Sequence, residues 1–261
     1  MMRIRQLRLP QPGLWVSVLL VALFFIIWEI RSQLEMVNTL FFPAPTTIAA
    51  TLTEMIRSGE LAPHFMATIK RVLSGFAIGA GTGLLVGLLM GWSKRLRTVF
   101  DPIIAALHPI PKISLLPIML IIFGFGETSR VVMVSISAFF PMMINSMAGV
   151  LQINPTFFDV TKNYGASRWK VFRRVLLPGS LPLILTGARL SLTLALTITI
   201  VVEIRFGNLG LGKIIWLAWE TLRTTELYAV VVLLSALGMS FNFALLWLKN
   251  YLAPWHSEAN A

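Results

Sequence analysis

Six apolar stretches, each near the ~20 residues a helix needs to cross a bilayer, constrain this chain more than any other feature. They run roughly Leu14–Ile30, Phe65–Gly91, Pro102–Phe125, Val131–Leu151, Leu181–Val202 and Leu227–Asn250. Only 13% of residues are charged, where a soluble domain carries about a quarter. In lipid every backbone polar group must be satisfied internally, and 20-residue apolar runs do that as helices. The expectation is an all-α membrane protein of about six transmembrane helices. Cysteine is absent and the three histidines (64, 108, 256) are scattered, which excludes thiolate sites and leaves no metal-ligand spacing.

A net charge of +11 raises nucleic acid as a partner, but the placement of the charge points to membrane orientation. Alternate junctions hold Arg3, Arg5, Arg8, Lys94, Arg95, Arg97, Lys162, Arg168, Lys170, Arg173, Arg174 and Lys249 against Asp101, Asp159 and Glu258. The opposite junctions set Arg31, Arg57, Lys70, Arg71, Arg130, Arg205, Lys213 and Arg223 against seven glutamates. The positive-inside rule then puts both termini in the cytoplasm, and no nucleic acid is expected. Glu29, Lys112 and Arg189 lie in or near the spans and stand outside this comparison. The first apolar run is followed by Glu29-Ile-Arg-Ser-Gln rather than a small-residue cleavage site, so it should remain as an anchor. Residues 1–64 are expected to form that anchor and an extracytoplasmic loop with an interfacial helix over Thr46–Ile56. Residues 65–254 would form the core and 255–261 a cytoplasmic tail.

Two spans carry structural instructions of their own. In the second, Gly75, Gly79, Gly83, Gly87 and Gly91 recur every four residues. They share one helix ridge, along which another helix can approach closely. In the third, Pro102, Pro109, Pro111 and Pro117 forbid a straight helix. Broken backbone at membrane depth survives only when it is buried in protein or lines a cavity. Lys112 in that segment either faces a pathway or snorkels to the interface.

Between the fourth and fifth spans lies a basic, aromatic loop. Asn154-Pro155 reads as an N-cap followed by proline at the first helical position. Gly165 supplies a turn, Ser167 caps a second short helix, and Pro178 is expected to end it. Phe157, Phe158, Tyr164, Trp169 and Phe172 sit among Lys162, Arg168, Lys170, Arg173 and Arg174. So many rings beside so many cations need a partner surface, which makes 154–178 a docking element.

The spacing here resembles the EAA coupling loop of ABC-importer permeases: Glu-Ala-Ala, three residues, Gly, nine residues, Ile-x-Leu-Pro. Gly165, Leu177 and Pro178 match in register, Val175 replaces the Ile, Asp159 the Glu, and Val160 and Thr161 the alanines. His108-Pro-Ile-Pro-Lys-Ile-Ser-Leu-Leu-Pro117, Phe123-Gly-Phe-Gly126, Phe139–Gly149, Gly165-Ala-Ser-Arg-Trp and Leu181–Arg189 are similar to the nitrate/sulfonate/taurine branch. The resemblance runs from about Thr68 to Pro254 and implies a type I importer permease in the bacterial inner membrane. It implies no catalysis and no cofactor bound by this chain, with ATP and magnesium held by two separate ATPase subunits. A second, identical permease chain and an extracytoplasmic binding protein would complete the importer. The implied cargo is a small anion such as a sulfonate, taurine or nitrate. Relatives carrying thiamine or riboflavin precursors or bicarbonate look much alike. A secondary transporter would usually show internal repeats, and none is evident.

Within the loop, Gly165 is expected to make the bend. Tyr164, Trp169 and Phe172 would dock the ATPase, with Asp159, Arg168, Arg173, Arg174, Leu177 and Pro178 completing the contact. Some of these arginines would instead hold topology or meet anionic lipid headgroups. Lys112, Ser137, Asn145, Thr193, Thr197 and Glu203 are the candidate pathway residues, Glu203 as part of a gate. The rival reading for the hydroxyls is bonding to their own helix or a neighbour. Gly207-Asn-Leu-Gly-Leu-Gly212-Lys213 imitates a phosphate-binding loop, but Ile214 stands where a magnesium-ligating Ser/Thr belongs, so it is not read as a nucleotide site.

Overall fold

The computed structural model describes residues 12–254, and among these the chain is helical with no strand. Five helices are long and apolar enough to span a membrane, and a bent pair makes up to a sixth. In chain order they are α1 (Pro12–Gln33), α2 (Pro45–Arg57), α3 (Leu61–Trp92), α4 (Lys94–Leu107), α5 (Leu116–Phe123), α6 (Glu127–Leu151), α7 (Pro155–Asn163), α8 (Arg168–Val171), α9 (Leu177–Phe206), α10 (Leu211–Glu220) and α11 (Thr224–Leu252). The expected charges at Arg3, Arg5, Arg8 and Glu258, His256 and the 255–261 tail lie outside the described residues.

The glycine ridge of α3 does what its spacing requires. A Cβ on Gly79 would fall onto the Ser135 carbonyl, one on Gly83 onto that of Phe139, and one on Gly87 onto that of Met143, all on α6. The two backbones are therefore in direct contact along most of their length, the close packing that favours helix association in lipid. The other side of α6 packs on α9, where Gly187 meets Asn145 and the Ser191 hydroxyl donates to the Ala138 carbonyl at 2.7 Å. Helix α6 is thus the centre of the bundle. Buried Met133, Val134, Ala138 and Met143 are its core residues.

Helix α1 stands apart, with an almost wholly exposed surface. Glu29 ties it to α2 by accepting from the Thr46 N–H at 3.0 Å and the Thr46 hydroxyl at 2.7 Å. The α2 N-terminus has no side-chain cap of its own. A carboxylate from α1 thus meets its unsatisfied N–H groups and the positive end of its dipole. The interfacial helix expected over Thr46–Ile56 is this α2.

The proline-rich third span is broken, and α4 meets the Lys112–Phe123 segment at 88°. The Lys112 ammonium bridges the break by donating to the carbonyls of His108 at 2.6 Å and Ile110 at 2.9 Å. Those carbonyls lost their helical partners at the bend.

Pro178 requires a correction. It does not end the short helix but sits in the first turn of α9, and the helical rod continues unbroken from Arg168 to Phe206. A π-helical turn over Phe172–Leu176, with the Leu177 N–H bonded to the Phe172 carbonyl, makes this possible. That turn widens the helix just before the proline, where its ring would otherwise meet a carbonyl. Helix α10 lies in the junction between the fifth and sixth apolar stretches, where the sequence pattern marks no span.

Candidate functional site

The loop between α6 and α9 folds into a compact lobe at one end of the bundle. Asn154 caps α7 by accepting from the Thr156 N–H at 3.0 Å, and Ser167 caps α8 through the Lys170 N–H at 3.4 Å. Between them Gly165 takes φ of +64°, a left-handed conformation that costs a side-chain-bearing residue about 1–2 kcal/mol. The turn closes through the Ala166 N–H to the Thr161 carbonyl at 2.9 Å.

The aromatic residues of this lobe divide into two sets. Phe172 is half-buried between Trp169, at 5.5 Å, and Trp92 at the end of α3, at 5.9 Å, with all three rings stacked. Expected at the docking face, it instead anchors the lobe to the bundle. Tyr164 (87% exposed), Trp169 (66%) and Phe157 (60%) face outward. Asp159, Arg168, Arg173 and Arg174 are exposed around them, whereas Leu177 and Pro178 are half-buried at the base. The result is a convex, cationic knob with rings at its tip, held by a stacked aromatic ladder.

At the opposite end, a buried ion network joins four helices. The Glu203 carboxylate on α9 accepts from Arg71 Nη1 of α3 at 2.8 Å, from the Thr68 hydroxyl at 2.9 Å and from the Gly212 N–H of α10 at 3.0 Å. Arg71 also forks onto Glu127 at the start of α6, with contacts of 2.7 and 2.6 Å. Arg130 pairs with the same Glu127 and donates to the Phe206 carbonyl at 2.6 Å. Glu203, Arg71 and Arg130 are buried. Every charge therefore has an opposite partner, without which burial would be prohibitive.

The glycine segment that imitates a phosphate loop is part of this network. Gly210 (φ +135°) lies so close to Glu203 that a Cβ there would overlap the carboxylate. The Leu211 N–H donates to Thr68 Oγ1 at 2.9 Å. The start of α10 thus meets an anion directly through the Gly212 N–H and, by way of Thr68, through the Leu211 N–H, as helix N-termini do, but that anion is the protein's own glutamate. Arg71 and Arg130, counted in the sequence among the junction charges, are interior residues of α3 and α6, where two carboxylates, Glu127 and Glu203, meet them.

Residues 79–257 match the family described as the inner membrane component of binding-protein-dependent transport systems. The chain belongs to this family. It is 32% identical over 246 residues to the putative aliphatic sulfonates transport permease protein of Bacillus subtilis (strain 168), covering 94% of this chain and 89% of that protein. It is 30% identical to the taurine transport system permease protein of Escherichia coli (strain K12), covering 93% and 90%. The riboflavin transport system permease protein of Chloroflexus aurantiacus is 28% identical, covering 95% and 92%. In fold it is similar to the permease chain of the inward-facing MetNI methionine ABC transporter, with a TM-score of 0.66, 21% identity and coverage of 74% of this chain and 95% of that one. The protein is a multi-pass permease subunit of an ABC importer. As a family, such permeases work with an ATPase and a binding protein.

The six expected pathway residues of this permease do not converge on one site. Ser137 is buried and donates to the Met133 carbonyl on its own helix. Asn145 does likewise to Pro141 at 2.8 Å. Thr193 and Thr197 lie on an exposed face of α9, their hydroxyls bonded one turn back to Arg189 and Thr193. Lys112 sits at the α4–α5 bend over the Phe140 ring, 4.4 Å from its centroid. Glu203 is enclosed in the ion network, away from any surface.

Proposed function

We propose that this chain is the transmembrane subunit of an ATP-driven importer that carries a small organic anion of the sulfonate class. Two identical chains form the pathway, and two ATPase subunits, which hold the ATP and magnesium, dock on the 154–178 lobes. A binding protein on the other side of the membrane delivers the cargo. This permease binds no cofactor of its own. One observation carries the reading: the lobe presents Tyr164, Trp169 and Phe157 to solvent within a cationic rim while an internal ring ladder fixes it to the bundle. Large exposed rings on a rigid mount are what a docking surface requires.

The lobe would transmit force because α8, the π turn and α9 form one continuous rod. A displacement of the lobe therefore moves α9, and through Gly187 and Ser191 its partner α6, as one body. Closure of the ATPases would bias two conformations of the paired bundles by binding one of them better. The sulfonate class is supported by the names of the aliphatic-sulfonate and taurine relatives. A riboflavin-type cargo is the second reading, supported by the Chloroflexus relative.

The test is uptake of radiolabelled taurine, ethanesulfonate and riboflavin by cells expressing the permease with its neighbouring ATPase and binding protein. ATP-dependent sulfonate uptake, lost on changing Tyr164 and Trp169 together, is the expected result. Uptake that needs no ATPase would move the reading to a secondary transporter, and uptake of riboflavin alone to the second cargo.

A further inference from the structure

Arg189 lies in α9 between Leu177 and Phe206. At 1.5 Å per residue it stands about 18 Å from Leu177 and about 26 Å from Phe206, in the middle part of the membrane-spanning rod. A cation at that depth normally faces a partner or a water-filled cavity. Arg71 and Arg130 have carboxylate partners. Arg189 has none: among the described residues its guanidinium makes no hydrogen bond or ion pair. The acidic residues of α9 and α11 are both committed elsewhere, Glu203 to Arg71 and Glu226 to Arg223 at the start of α11.

Arg189 lines a cavity of about 180 Å³ between α9 and α11. Asn242 of α11 lines the same cavity, and its amide also lacks a partner among the described residues. The remaining wall is largely apolar, formed by Leu196, Phe241 and Leu245 with neighbouring side chains. Thr193 is present too, but its hydroxyl is spent on the Arg189 carbonyl at 3.0 Å. The free donors are thus a fork of guanidinium N–H groups and one amide, facing an aliphatic and aromatic surface.

We propose that this cavity is a subsite on the transport path for a small amphiphilic anion. Arg189 grips two oxygens of its sulfonate or similar head group, Asn242 donates to a further oxygen, and Leu196, Phe241 and Leu245 hold its carbon chain. The guanidinium fork matches paired anionic oxygens. A mobile anion supplies the counter-charge that the chain itself withholds, so the cavity would select for charge and accept varied short tails. The inference rests on the small-anion reading above and names the residues that read the anion.

The test uses the complete permease–ATPase complex, first without binding protein or nucleotide, comparing the Tm change produced by ethanesulfonate with that produced by uncharged ethanesulfonamide. Ethanesulfonate at saturating concentration is expected to raise the wild-type Tm by about 2–4 °C and the sulfonamide to leave it unmoved. Arg189→Gln should lose that rise, Arg189→Lys keep part of it, and Asn242→Ala weaken it. The same variants are then assayed for uptake of labelled ethanesulfonate in proteoliposomes with binding protein and ATP, where Arg189→Gln should fall at least about tenfold. An equal rise in wild type and Arg189→Gln, no rise in wild type, or an equal rise with the neutral sulfonamide overturns the subsite. Should Arg189→Gln fail to assemble, Arg189→Lys and Asn242→Ala decide by the same criteria. An Arg189-dependent Tm rise without sulfonate import would sink the transport reading and leave the subsite standing. Import without an Arg189-dependent rise sinks only the subsite.

Discussion

Replacing Glu203 by alanine tests whether the ion network holds α3, α6, α9 and α10 together. The substitution removes the acceptor for three donors: Arg71 Nη1 at 2.8 Å, the Thr68 hydroxyl at 2.9 Å and the Gly212 N–H at 3.0 Å. Each hydrogen bond contributes about 1 kcal/mol net. Arg71 keeps Glu127 as a partner, so its charge is only partly uncompensated. The combined cost is about 3–5 kcal/mol, the range for breaking a buried pair from one side. For a chain of this size that lowers Tm by about 10 °C, measurable by thermal unfolding of the purified permease in detergent. Glu203→Gln keeps an oxygen for Gly212 or Thr68 and should lose about half as much. The Arg71→Gln/Glu203→Gln double variant should be less damaged than the two singles added, by about 1–3 kcal/mol. A Tm within about 2 °C of wild type for Glu203→Ala, or strict additivity in the cycle, would refute the network as a source of stability.

Four further outcomes follow from close approaches and exposed positions. Gly79→Leu drives a side chain into the Ser135 backbone, which cannot yield as a side chain can. It should cost about 3 kcal/mol or more and appear as lost monodisperse protein in size-exclusion chromatography, while substitution at Gly81, with open space around it, should not. Gly210→Ala forces a methyl onto the Glu203 carboxylate and should lower Tm, with a smaller further loss when Glu203 is already alanine; full additivity would argue against the contact. Gly165→Val meets no neighbouring atom, so its cost is the local backbone strain of about 1–2 kcal/mol. Membrane insertion should survive it while ATPase co-purification and uptake are lost. Tyr164→Ala, at an exposed tip, should leave stability within about 0.5 kcal/mol yet weaken ATPase capture, and retention of both ATPase and transport would remove Tyr164 from the docking surface.

By itself the sequence determined whatever depends on local pattern. The apolar runs announced the spanning helices, and the four-residue glycine period announced that α3 would meet another helix closely, because both express a fixed helical geometry; that the partner is α6 came only from the fold. The proline cluster announced the broken span, because proline removes donors wherever it stands. Asn154, Gly165 and Ser167 announced the lobe's two short helices, because caps and left-handed turns are set by residues a few positions apart. Tertiary structure alone decided how distant positions meet. Arg71, Glu127 and Glu203 are far apart in the chain, and only helix packing brings them into one ion network around the buried Arg71 and Glu203. The glycine segment at 207–213 carried the signature of an anion loop, and only the fold showed that the anion is Glu203. Phe172 looked like its neighbours until Trp92, eighty residues away, took it into a stack. Pro178 read as a stop because the sequence does not display the π turn that accommodates it. Residue type marks Ser137, Asn145, Thr193 and Thr197 as polar, but only the fold shows that their side chains bond to their own helices. Arg189, with the same charge as Arg71, differs from it because no carboxylate reaches its part of α9.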